Sequence, residues 1–156
     1  MIVSERLPRR ALTGQLLYGL LWIAMTLVGL ALRPSASGHG THEELGLPPC
    51  PSAAFMDRPC PGCGLTTSIS AFLHGDLRLA FHAHLLGPFF YLFVTVTGVI
   101  ALRKWTEAQR FDVTGKEWTR AIVAAAVVFL TFGIWRMAVV DHYSTPTEKA
   151  YIAIAK

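Results

Sequence analysis

Three long apolar blocks, almost free of charge, constrain this chain more than any other feature of its sequence. They cover residues 11–32, 85–102 and 121–140, and nearly all the charge lies between them. A helix of roughly 20 apolar residues is what crosses a hydrocarbon core of about 30 Å. A water-soluble core would instead interleave apolar and polar residues with a period of 2 or 3.6. The composition agrees: 53% of the 156 residues are hydrophobic and 15% charged, whereas charged residues approach about 25% in soluble domains. The expected fold is therefore all-α: an integral-membrane three-helix bundle forming a single membrane domain over residues 1–156, with a cysteine-containing loop at residues 33–84. The first block is longer than the roughly 7–15 apolar residues of a signal peptide, so it is read as an uncleaved span. The second block starts between Ala80 and Leu85, and Pro88 there predicts a bend or a first helical turn. Thr114-Gly115-Lys116-Glu117 before the third block reads as a capping box. Trp22, Trp105, Trp118 and Trp135 fall mostly near block ends, where indoles favour the interface.

The formal net charge is +4. Nucleic-acid binding calls for a clustered, exposed basic face, and here the basic residues flank apolar blocks instead, so no nucleic-acid partner is expected. Lys and Arg counts set orientation. The N-terminal tail (Arg6, Arg9, Arg10) and the second loop (Arg103, Lys104, Arg110, Lys116, Arg120) carry eight basic residues, against five (Arg33, Arg58, Arg78, Lys149, Lys156) on the other side. This places the N-terminus in the cytoplasm and the cysteine loop and C-terminus outside. All three cysteines and all six histidines (His39, His42, His74, His82, His84 and His142) then share the outer side. His82 and His84, two apart, would point to different helical faces and not chelate one metal together.

Within the loop, Pro34 to Pro59 is rich in Gly, Pro and Ser and reads as irregular. From Thr66 to His74 the pattern changes, with Leu65, Ile69, Phe72 and Leu73 on one helical face. Thr66 is a candidate N-cap, Gly75 a candidate C′ residue and Asp76 a candidate cap for the next helix. The expected unit is a short interfacial amphipathic helix, a sharp turn, and a descent into the second span. Arg136, near the end of the third block, is expected to snorkel to the interface; the sharper alternative pairs it with Asp76 or Asp141 and docks the third span on the cysteine segment.

Cys60-Pro61-Gly62-Cys63-Gly64 is the most informative stretch. Two cysteines separated by two residues can aim both sulfurs at one centre, and glycine permits the tight turn. Such a turn is one half of a structural zinc site. Cys50 would supply a third sulfur and a histidine, His74, the fourth ligand. A second chemistry fits the same residues: thiol–disulfide exchange at Cys60 and Cys63, with Cys50 as relay. Cys63 precedes a helix start, where the partial positive charge is expected to lower a thiol pKa. A third reading is a structural disulfide, which an oxidising exterior permits. Structural roles are favoured over redox catalysis, because the βαβ context of thioredoxin-like sites is absent. There is no P-loop, nucleotide fingerprint, HExxH or nucleophile elbow.

The ordered elements Cys50-Pro51, Cys60-Pro61-Gly62-Cys63-Gly64-Leu65-Thr66 and His74-Gly75-Asp76, with Ala80 following, resemble the DUF2752 family of small bacterial membrane proteins. The resemblance covers Cys50 to Leu92. It implies the architecture above, in a bacterial cytoplasmic membrane, and no particular reaction. The chain departs from the family pattern at Thr67, where members usually have arginine, and at His84-Leu85, where they usually have Asn-Pro. The resulting expectation is a non-enzymatic accessory or scaffold protein. Its partners are the lipid bilayer and another membrane protein, and a zinc-bound or disulfide-bonded knuckle is formed by its cysteines. The alternative is a membrane thiol–disulfide oxidoreductase.

Overall fold

The computed structural model describes residues 8–111 and 115–145. Arg6, Thr114, Lys149 and Lys156 lie outside the described residues, and the Thr114 half of the expected capping box with them. The described chain is helical throughout, with three helices long and apolar enough to cross a membrane: Arg10–Ala31, Gly87–Thr106 and Lys116–Val139. They agree with the apolar blocks to within a few residues. Only 11%, 22% and 6% of their most apolar windows are buried inside the protein, so most of their apolar side chains face outward.

The first span, α1 (Thr13–Ala31 after a short 3₁₀ turn), is antiparallel to the second, which is the fifth α-helix of the chain (Gly87–Thr106). A ladder of polar contacts joins the two. The Tyr18 and Thr97 hydroxyls are 2.6 Å apart, Trp22 Nε1 donates to Thr95 Oγ1 at 3.1 Å, and the Thr26 and Tyr91 hydroxyls are 3.1 Å apart. At one end Gln15 Nε2 donates to the Ala101 carbonyl at 2.9 Å, and its Oε1 accepts from the Phe111 N–H. Small residues let the helices approach, as is common between membrane helices. Gly98 lies under the Trp22 ring, where a Cβ would fall 2.8 Å from the indole.

At the opposite end of this pair lies a compact layer built from residues 33–86. It contains a 3₁₀ turn (Thr41–Leu45), α2 (Pro51–Met56), α3 (Leu65–Leu73) and α4 (Leu77–Ala83), followed by the second span, α5. The Pro34–Pro59 region thus holds two short ordered pieces where irregular chain was expected. α3 ends in a Schellman motif: Gly75, at φ +82°, donates to Phe72 O and Asp76 to Ala71 O. Asp76 then caps α4, its Oδ1 accepting from the Leu79 N–H at 2.9 Å. Both residues do what their sequence context predicts. The N-cap of α3, however, is Gly64 and not Thr66.

The helix after the cysteine turn exists where expected, but it is central to the layer. Its polar residues Thr67, Ser68 and Ser70 are as buried as Ile69. Each has a partner that offsets the cost of burial. Thr67 bonds Thr41 at 2.8 Å, Ser68 donates to the Ala80 carbonyl at 2.7 Å and Ser70 to the Leu32 carbonyl at 2.8 Å. α3 therefore ties the end of the first span to α4 and the start of the second. Gly87 gives Ser68 room there, and Pro88 sits in the first turn of α5.

The third span, α6 (Lys116–Val139), meets the second through Phe129 and Phe90, whose ring centroids are 6.3 Å apart. It is held chiefly through its C-terminal half, and what holds it is the cysteine segment.

Candidate functional site

Cys50, Cys60 and Cys63 converge. Their Sγ atoms all lie within 4.8 Å of one another; Cys63 and Cys50 are 3.4 Å apart, Cys50 and Cys60 3.7 Å. These are non-bonded distances, and the three are free cysteines. A tetrahedral zinc–thiolate site with bonds of about 2.3 Å has sulfur–sulfur edges of about 3.8 Å. Two of the three separations are close to that and the third is within 4.8 Å, so the cluster is of a size to take a thiophilic metal ion.

Local structure explains the convergence. Cys60 and Cys63 bracket a tight turn in which the Cys63 N–H donates to the Cys60 carbonyl at 2.9 Å. Gly64, at φ +82°, ends the turn; a Cβ there would meet the Ala83 carbonyl oxygen and fall 2.8 Å from that of Gly38. Cys50 is brought back by a different device. It precedes Pro51 at the start of α2, and that helix ends at Asp57, which takes a left-handed conformation (φ 53°) and reverses the chain toward Cys60.

The three thiols are not equivalent. Burial alone would push the Cys50 thiol up, but the Ala53 N–H, the Cys63 thiol and the Ser52 N–H outweigh it, and its pKa falls below the usual thiol value. Cys63 moves the other way. It is 6% exposed, and burial, followed by its contact with Cys50, raises its pKa well above that value. The expectation that the helix start would activate Cys63 is thus corrected: desolvation outweighs the helix end, and Cys50 is the readily ionised member.

Two arginines clasp the segment to the third span in opposite senses. Arg136 of α6 donates from Nη1 to the Cys63 carbonyl at 2.8 Å and from Nη2 to Tyr143 Oη at 3.2 Å. Arg58, between Cys50 and Cys60, donates from Nη1 to the carbonyls of Met137 and Ala138, at 2.9 and 3.0 Å, where helix C-termini favour a cation. Arg136 therefore does dock the third span on the cysteine segment, but through a backbone carbonyl and a phenol and not through Asp76 or Asp141. Gly133 permits the close approach, since a Cβ would overlap Pro61. Below the turn, His84 is 1% exposed, its Nε2 is 3.2 Å from the Pro61 carbonyl, and its ring stacks on Phe129 with centroids 5.1 Å apart. The segment after α6 completes the contact: the Ser144 N–H donates to Asp57 Oδ1 at 2.7 Å, and its hydroxyl to the Ala53 carbonyl.

His74, read from the sequence as the fourth ligand, is not brought to the sulfurs. It stands at the far end of α3, with Nδ1 2.8 Å from the Ser70 carbonyl oxygen, and the metal-ligating group contains the cysteines alone among the described residues. The cysteines instead open on a cavity of about 280 Å³, whose wall includes His39 and His42. Nothing in the sequence spacing distinguishes these two histidines from the other four; the 3₁₀ turn that carries His42 is what places it there.

This geometry defines a class: a small α-helical protein with three candidate membrane spans and a cluster of three thiols in the layer at one end of them. One family model matches part of the chain. Residues 50–98 match the family described as "Protein of unknown function (DUF2752)", as the CP, CPxCG and GD elements suggested, and all three cysteines fall within the match. No curated protein and no solved structure matches the chain. Thr67 and His84, inside the matched region, are both buried: Thr67 holds Thr41, and His84 supports Pro61.

Proposed function

We propose that this is a non-enzymatic membrane protein in which Cys50, Cys60 and Cys63 bind one thiophilic divalent metal ion, zinc by ligand type, and that the resulting knuckle fixes the third span and shapes the membrane face for a partner membrane protein. The observation that carries the reading is the mutual approach of all three sulfurs within 4.8 Å, with Cys50 3.4 and 3.7 Å from the other two. A disulfide would use two of them and leave the third idle; a metal uses all three. The reciprocal Arg58 and Arg136 contacts support the mechanical part, because the same short segment that holds the sulfurs holds α6. In a bacterial cytoplasmic membrane with the N-terminus inside, the charge bias puts the knuckle on the outer face, where a bound metal keeps the thiols from oxidising. The test is the metal content and thiol reactivity of the full chain purified in detergent without chelator. One equivalent of zinc, with all three thiols protected until chelator is added, supports the reading. Three free, reactive thiols and no metal in folded protein overturn it.

One observation favours a second reading. The lowered pKa of Cys50 and its place on the cavity wall suit thiol–disulfide exchange, with Cys50 attacking and Cys60 or Cys63 resolving. Mixed disulfides trapped on Cys50 when Cys60 and Cys63 are both serine support this reading over the first.

A further inference from the structure

We infer that His42 is the fourth ligand of the metal ion held by the three cysteines. This rests on the metal reading above and deepens it. Three thiolates leave a tetrahedral zinc ion one position short, and structural sites are closed by a fourth protein donor. The candidate must come from the wall of the cavity onto which the sulfurs open, and that wall contains two imidazoles, His39 and His42. His39 is held in place, 4% exposed and with its ring stacked on Tyr143 at a centroid distance of 4.1 Å. His42 is half-buried on the 3₁₀ turn Thr41–Leu45.

The turn holds His42 at the cavity wall. Gly40 and Gly46 bound it, both left-handed at φ +81° and +75°. Its inner edge is pinned at the neighbouring residue: the Thr41 hydroxyl is buried, accepts from the Ser35 N–H at 3.0 Å, and bonds Thr67 at 2.8 Å. A threonine there is short enough to bond Thr41, and this fixes the start of the turn beside the cysteine loop while His42, the next residue, faces the cavity. The His42 imidazole lies outside the cluster of sulfurs that are within 4.8 Å of one another. Ligation therefore requires the half-buried His42 side chain to turn into the cavity that it and the cysteines line.

The experiment uses cobalt(II) as the probe, on the full chain in detergent micelles. Wild type, His42→Ala, His42→Cys and His74→Ala are compared by the visible spectrum of the bound ion and by hyperfine coupling to imidazole nitrogen. The expected result is a tetrahedral spectrum with one nitrogen coupling in wild type and in His74→Ala. In His42→Ala the coupling is absent and zinc affinity falls by at least about 10-fold, the lower end of what even an outer-shell partner contributes. His42→Cys restores tight binding, with an added sulfur signature and no nitrogen. The inference is overturned if His42→Ala keeps the nitrogen coupling, or if wild type shows three sulfurs with no nitrogen. Wild type that takes up no cobalt overturns the metal reading itself, an outcome distinct from either of those.

Discussion

The guanidinium of Arg136 donates to the backbone carbonyl of Cys63 at 2.8 Å, across 73 residues of sequence. That bond joins the third span to the cysteine turn, and Arg58 makes the reverse connection to the end of the same span. Hydrogen bonds to charged groups contribute about 1.5–3 kcal/mol. Arg136→Met should therefore lower the stability of the folded state by about 2 kcal/mol, read as an earlier unfolding midpoint in mixed micelles. Arg58→Met should act in the same direction. Because both clasp the same two elements, the double variant should depart from additivity by at least about 0.5 kcal/mol. Additive losses would mean that the two contacts are independent.

The two glycines around Cys63 should behave oppositely. At Gly64 the backbone is left-handed and a Cβ would strike two carbonyl oxygens; at Gly62 nothing lies within 4 Å. Gly64→Ala should cost at least about 1–3 kcal/mol, whereas Gly62→Ala should stay within about 0.5 kcal/mol of wild type. Thermal unfolding of the two variants side by side checks this, and equal effects would contradict the turn geometry.

In chelated, reduced protein, alkylation should follow an order. Cys50 is partly exposed and its thiol ionises below the usual range; Cys63 is buried and its thiol ionises above it. Only the thiolate reacts. Timed iodoacetamide pulses with peptide mapping should label Cys50 first, at a pH where an ordinary thiol is still slow. Cys63 should label last, or only after unfolding. Early labelling of Cys63 would contradict the assignment.

His84 gives a pH dependence with a definite sign. Burial lowers its pKa, opposed by the Pro61 carbonyl and reinforced by the positive charge of Arg136. The folded state thus holds the neutral ring, while the unfolded state protonates near the ordinary value of about 6.5. Its contribution is complete above about pH 6.5 and is lost as the pH falls from there through the lower folded value. Unfolding midpoints measured from pH 8 to pH 5 should fall on acidification, and His84→Gln, which keeps a donor but does not titrate, should flatten that slope. An unchanged slope would assign the acid sensitivity elsewhere.

The spans were legible because lipid demands a run of apolar residues that no other environment does, and the Gly75-Asp76 turn because left-handed caps and acidic N-caps are local. The cysteine cluster was half legible. The separation of Cys60 and Cys63 is a local turn. The approach of Cys50 depends on a six-residue helix ending in a left-handed aspartate, a conformation that aspartate adopts only occasionally. Arg136 sought a carbonyl, and every residue has one, so sequence could point to the docking but not to the partner. His74 was named as the fourth ligand from sequence; α3 carries it away from the sulfurs, and His42 reaches the cavity wall through tertiary packing of Thr41 on Thr67.

The account turns on one metal ion shared by three sulfurs. X-ray absorption at the zinc edge of the purified full chain measures that directly. The prediction is a first shell with three sulfur scatterers at about 2.3 Å that loses one scatterer in each single Cys→Ser variant. A shell of oxygen and nitrogen alone, or one indifferent to Cys50→Ser, would contradict it.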